Sequence, residues 1–227
     1  MQRETNNNKN VVSMTHFTGD KRFPAMAEVE AYWEGIRSGR TVPTRSDIDP
    51  RGIENALEYA FILERIAPGL ARLRIAGMHL SDLMGMEVRG MPISSFITPT
   101  TRTGFSETLE TVLNTPAVAK LSLTAECGIG KPPLEGRMLL CPLQSDMGEI
   151  SRVLGCFSTN GQIGRGPRRF NVMQTELREL PATRYAPTFR TPEPQAREFS
   201  ETRRQFETRT EPDKRPGYLR LIKTDSE

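Results

Sequence analysis

"LARLRIAGMHLSDLMG", residues 70–85, changes periodicity at a single glycine. Before Gly77, Leu73 and Ile75 share one side of an extended segment and Arg72 and Arg74 share the other. After it, Leu80, Leu83 and Met84 recur at helical spacing and Gly85 offers a terminator. The stretch predicts a strand that turns sharply into a short helix. It also carries His79, one of two histidines in the chain, which sets a catalytic or haem role against a structural one.

Upstream, "EYAFILERIAPG", residues 58–69, predicts a strand closed by a Pro-Gly turn, so the two strands form an antiparallel hairpin. Glu64 then faces Arg72 and Arg74, and cross-strand ion pairing accounts for these arginines better than an anion site does. "VPTRSDIDPRGIENAL", residues 42–57, leads into a short helix with Asp49 as N-cap and Pro50 in its first turn. Before it, "PAMAEVEAYWEGIRSG", residues 24–39, places Met26, Val29, Trp33 and Ile36 on one helical stripe. Such a stripe covers either a sheet or the same helix of a second subunit.

Downstream, "TRTGFSETLETVLNTP" predicts an amphipathic helix through Phe105, Leu109, Val112 and Leu113, broken at Pro116. Three strands come next in "AVAKLSLTAEC", "GRMLLCPLQS" and "SRVLGCFSTN", the last two joined by a tight turn at "DMGEI". The order is strand, strand, helices, then three strands, which suits a curved antiparallel sheet with helices across one face. "RFNVMQTELRELP" has helical periodicity through Phe170, Met173 and Leu177, and repeated prolines come after it. Near the C-terminus, "GYLRLI" forms a short apolar plug expected to dock on the domain.

Composition narrows the function. The chain has 227 residues, 36% hydrophobic and 26% charged, with no apolar run long enough to span a membrane and no signal peptide, so a cytoplasmic location is expected. A formal net charge of +3 does not imply nucleic acid, and "GRGPRRF", residues 164–170, reads as a solvated basic linker. Cys127, Cys141 and Cys156 lack CxxC spacing and read as buried free thiols, and with His16 and His79 far apart no metal site is expected. "ECGIGKPP", residues 126–133, lacks P-loop spacing and reads as a hairpin loop.

"AYWEGIRSGRTVPTRSDIDP", "FILERIAPGLARLRIAGMHLSDLMGMEVRGMPISSF", "LLCPLQSD" and "RVLGCFS" together resemble a PAS-like family found mainly in alphaproteobacteria. The resemblance implies an α+β PAS-like fold: a five-stranded antiparallel sheet with helices across one face, plus an N-terminal helix and an irregular C-terminal extension. Residues 1–22 are then a disordered N-terminus, 23–160 the PAS-like domain, and 161–227 a linker and extension. It further implies a non-catalytic sensory or adaptor module in bacterial signalling, the alternative being an enzyme or small-ligand carrier with an unfamiliar pocket. The flavin-adduct motif has no counterpart on the helical segment, and His79 lies on a turn better suited to structure than to haem ligation, so no cofactor is expected.

Between helices and sheet, a ligand pocket is expected from Leu73, Ile75, Leu80, Leu83, Met84, Phe96, Phe105, Leu109, Leu140 and Phe157. Met26, Val29, Trp33 and Ile36 are the expected interface of a homodimer. The partners foreseen are a second copy, a signalling protein and a small molecule, with neither nucleic acid nor membrane. No catalytic residue is assigned.

Overall fold

A computed structural model describes residues 22–180. The N-terminal expectation, apart from Arg22, and the "GYLRLI" plug fall outside those residues, as does His16.

Six strands form one antiparallel sheet in the order β2-β1-β5-β4-β3-β6. They are β1 (Ala60–Ala67), β2 (Leu70–Ala76), β3 (Ala117–Ala125), β4 (Glu135–Gln144), β5 (Ile150–Asn160) and β6 (Phe170–Glu179). The central strands are buried on both faces, which is why "MLLCPL" and "VLGCF" read as continuous apolar runs rather than alternations. Phe61, Leu63, Leu121, Met138, Leu140, Val153 and Phe157 point to the inner face. There they meet α2 (Met78–Met84), a 3-10 turn at Ile93–Phe96, and α3 (Arg102–Asn114).

Ile62, Leu139, Cys141, Leu143, Leu154 and Cys156 point to the outer face, where α1 (Pro24–Arg37) and a 3-10 segment (Pro50–Ala56) cover them. Asp49 caps that segment, its carboxylate accepting from the Arg51 amide at 3.0 Å. Met26, Val29 and Trp33 are buried against this face, and the Trp33 indole donates to the Pro142 carbonyl at 3.0 Å. The stripe expected at a subunit seam is therefore spent within one chain, with Ile36 half-buried at its end. The physical reason is the apolar outer face of β4 and β5, which needs cover of its own.

Two further expectations are corrected. The sheet has a sixth strand: "FNVMQTELRE" is extended and pairs with β3 along nearly its whole length, rather than forming a helix in a linker. A register shift leaves Met173 unpaired between Val172 and Gln174, so strict alternation is lost and the apolar residues fall at helix-like intervals. The other correction lies in β2, where Ile62 pairs with Ile75 and Leu63 with Leu73, leaving Arg74 as an extra residue. Ile75 consequently turns to the outer face while Leu73 stays inside.

Gly77 joins β2 to α2, and the need for glycine there is a close approach. A Cβ would lie 2.2 Å from the Glu58 carbonyl oxygen, which accepts the His79 amide at 3.0 Å. Gly85 ends α2 in the left-handed region, at φ 70°, and its amide returns to the Ser81 carbonyl.

Candidate functional site

Nine of the ten residues expected around a ligand meet in the inner core: Leu73, Leu80, Leu83, Met84, Phe96, Phe105, Leu109, Leu140 and Phe157. Their packing is dense at the aromatic centre. Phe157 stands edge-on to Phe96 at 5.7 Å and to Phe170 at 5.0 Å between ring centroids, so β5, the 3-10 turn and β6 are locked through three rings. Phe170 has no place in the sequence-derived set because its segment reads as a linker helix. Ile75 does not join this group, because the extra residue in β2 turns it to the outer face.

At the rim of that core lies a shallow cleft, about 800 Å³ with its open mouth, lined by Met84, Met86, Met91, Pro92, Ser94, Ser95, Arg102, Pro167 and Arg169. Four local structures converge to make it. The left-handed turn at Gly85 carries Met86 outward, the 3-10 turn presents Ser94 and Ser95, α3 begins at Arg102, and the segment before β6 supplies Pro167 and Arg169. Arg102 donates from Nη2 to the Ile97 carbonyl at 3.0 Å, and its Nε is buried without a partner among the described residues.

Arg168 fixes the last of these segments. Its side chain is fully buried and unpaired with any carboxylate among the described residues, so backbone oxygens must satisfy the charge. It donates to the carbonyls of Pro132 at 2.7 Å, Glu126 at 3.3 Å and Ile163, while its own amide donates to the Leu83 carbonyl at 2.8 Å. Lys131 Nζ adds a bond to the Pro167 carbonyl at 2.7 Å, and the Arg165 amide one to the Gly130 carbonyl. "ECGIGKPP" and "GRGPRRF", unremarkable separately, are thus stapled together against α2. The only sequence signal for this is their density of glycine and basic residues.

On the outer face a second groove, about 490 Å³ with its open mouth, is lined by Ile48, Pro50, Ile53, Leu57, Ile62, Ile75 and Leu154, with Arg45 at its margin. Beside it Glu64 gathers Arg72 at 2.8 Å, Arg74 at 2.6 Å and Arg152 at 3.7 Å. Hydrogen bonds from Arg74 and Arg72 outweigh partial desolvation and hold the Glu64 carboxyl at about 2. The pairing expected for these arginines is therefore present.

His79, Cys141 and Cys156, which could suggest catalysis, are engaged structurally. The His79 ring nitrogen Nε2 lies 3.0 Å from the Thr159 hydroxyl, and the ring meets Tyr59 edge-on at 4.9 Å. Burial lowers the His79 pKa against the opposing pull of Glu58 and Asp82, favouring the neutral imidazole. Cys141 and Cys156 are buried under α1, where desolvation raises both thiols, Cys156 to about 12, so neither has thiolate character. Cys127, expected to be buried, is exposed. Among the described residues no group of three or more His, Cys, Asp or Glu could hold a metal ion, and no helix is long and apolar enough to cross a membrane.

An antiparallel sheet whose first hairpin and last strands enclose two short helical turns and a longer helix on one face is the architecture of an α+β domain of the PAS type. A PAS domain family model matches residues 21–158, more than half of the chain, and the chain belongs to that family. No curated protein matches it.

Proposed function

We propose that the chain is a non-catalytic sensory module in signalling that responds to a small molecule bound at the rim cleft. One observation carries this reading: the cleft is bounded by α2, the 3-10 turn and the start of α3, the elements that rest on the sheet without belonging to its ladder. A ligand there touches parts that can shift while the six strands hold their register. Response requires that the ligand favour one placement of those parts over another. The PAS membership supports the reading, as does the structural engagement of His79 and the two buried thiols. The test is native mass spectrometry of the freshly purified full chain, with thermal melting against a metabolite panel. A reproducible bound mass, or a compound that raises the melting temperature in proportion to its concentration, is the expected outcome. A chain that carries no small molecule and ignores the whole panel refutes it.

A second reading, an adaptor that associates with another copy of itself, is favoured by the outer groove. Leu57 and Ile75 are 41% and 51% exposed there, and the adjoining Glu64 cluster offers both signs of charge, as a self-complementary two-fold contact requires. Light scattering coupled to size exclusion at rising concentration, with Ile75→Glu as control, tests it. A wild-type chain that stays monomeric at high micromolar concentration sinks it.

A further inference from the structure

We propose that the rim cleft takes a small amphipathic anion, its carboxylate or phosphate head held by Arg102 and Arg169 and its apolar part laid along Met84, Met86 and Met91. This names the ligand class for the sensory reading and rests on it.

The charge pattern is the starting point. Arg22, Arg37, Arg40, Arg65, Arg72, Arg74, Arg137, Arg152 and Arg178 each meet a carboxylate. Among the described arginines that meet none, which also include Arg45, Arg51, Arg89, Arg165 and the carbonyl-bound Arg168, Arg102 and Arg169 are the two that line one concavity together. Two arginines lining one cleft without counter-charge place like charges around the same space, and a bound anion that reaches both offsets that cost with charge-assisted hydrogen bonds. The Ser94 and Ser95 hydroxyls line the same wall and have no protein partner among the described residues, so they supply further donors.

Pre-organisation is the second strand. Arg102 is anchored by Nη2 on the Ile97 carbonyl, which leaves Nη1 uncommitted. Arg169 is next in sequence to Arg168, whose buried guanidinium bonds to three carbonyls and whose amide docks on Leu83, beside the cleft-lining Met84. The chain carrying the exposed arginine is therefore held rigidly although its side chain is in solvent, and less ordering is required when an anion arrives. The three methionines add flexible, polarizable apolar surface that adapts to a hydrocarbon portion of variable shape.

The test uses the full chain with sodium octanoate, octyl phosphate and, as the neutral match, octanol. Titration followed by calorimetry and by methyl NMR of labelled methionines is expected to show saturable binding of at least one anion. Shifts should fall on Met84, Met86 and Met91. Arg169→Gln and Arg102→Gln should each weaken that binding by about ten- to a hundredfold, the loss of a charge-assisted hydrogen bond. Arg169→Gln should leave the melting temperature of the free protein unchanged, because its side chain is exposed. Octanol binding as well as the anions, or wild-type affinity in both arginine variants, overturns the anion assignment and leaves small-molecule sensing standing. A chain to which none of the probes binds, while a neutral metabolite does, has the same consequence. A chain that binds no small molecule overturns both.

Discussion

Replacing Trp33 by alanine distinguishes a helix that seals one chain from a helix that joins two. The indole is 0% exposed, donates to the Pro142 carbonyl at 3.0 Å, and carries the Arg37 guanidinium 5.2 Å from its ring centroid. Truncating a buried aromatic of this kind costs about 3–5 kcal/mol through lost burial and residual cavity. Part of that cost is specific here. Pro142 has no amide to give, and without the indole its carbonyl is left without that donor beneath α1, a penalty of about 1–3 kcal/mol included in the total. For a domain of this size each kcal/mol lowers the melting temperature by roughly 2–4 °C, so Trp33→Ala should melt about 6–20 °C lower. Trp33→Phe keeps most of the apolar volume and loses the hydrogen bond, and should fall between the alanine variant and the wild type. Circular-dichroism melts from low to high micromolar protein provide the assay. The decrease must be the same at every concentration, since the contact lies within one chain. A deficit that disappears on concentrating the protein, or a loss of dimer with unchanged melting, would place Trp33 at a subunit seam and refute the assignment.

Gly155→Ala tests the packing of the sheet centre: a Cβ there lies 2.2 Å from the Phe61 ring, and denaturant unfolding should show a loss of about 1–3 kcal/mol. Glu64 has a folded pKa of about 2 against an ordinary 4.5, so its contribution is complete above 4.5 and declines as pH falls toward 2. Wild-type stability should therefore drop across that window more steeply than that of Glu64→Gln in urea titrations, and parallel profiles would show that the arginine cluster does not stabilise the carboxylate. Arg168→Met removes the donor to three carbonyls and should speed amide exchange at Lys131 and Arg165, where the two stapled loops meet, with a lower melting temperature set by about 1–3 kcal/mol for each buried carbonyl left unsatisfied.

Local patterns make most of the fold legible. The β1–β2 hairpin, α2, α3 and the three strands after it arise from period, turn residues and breakers that each act within a few residues. The Asp49 cap and the Glu64 pairing with Arg72 and Arg74 are equally local. What escapes depends on one-residue offsets that no composition records. Arg74 and Met173 each occupy a position without an opposite number, and each reverses inside and outside for the next residues of its strand. That is why Ile75 is expected in a pocket it does not line and why β6 resembles a helix. The inner residues are legible as a group, yet hydrophobicity alone does not distinguish the wall of a cavity from a core. The cleft escapes for another reason: its arginines come from segments 67 residues apart in number and meet only because a buried Arg168, ordinarily a surface residue type, is stitched to backbone carbonyls.

β6 has a practical corollary for anyone dividing this chain. The family match stops at residue 158, before Phe170 and before the strand that pairs with β3. A fragment trimmed to that limit would lose the third ring of the Phe96–Phe157–Phe170 lock and would leave the outer row of β3 amides and carbonyls open along its length. Such an uncovered apolar border invites sheet-to-sheet association between molecules. The recurrent unit and the folding unit thus differ by one strand. A dimer seen only with the shorter piece would report the cut rather than the protein.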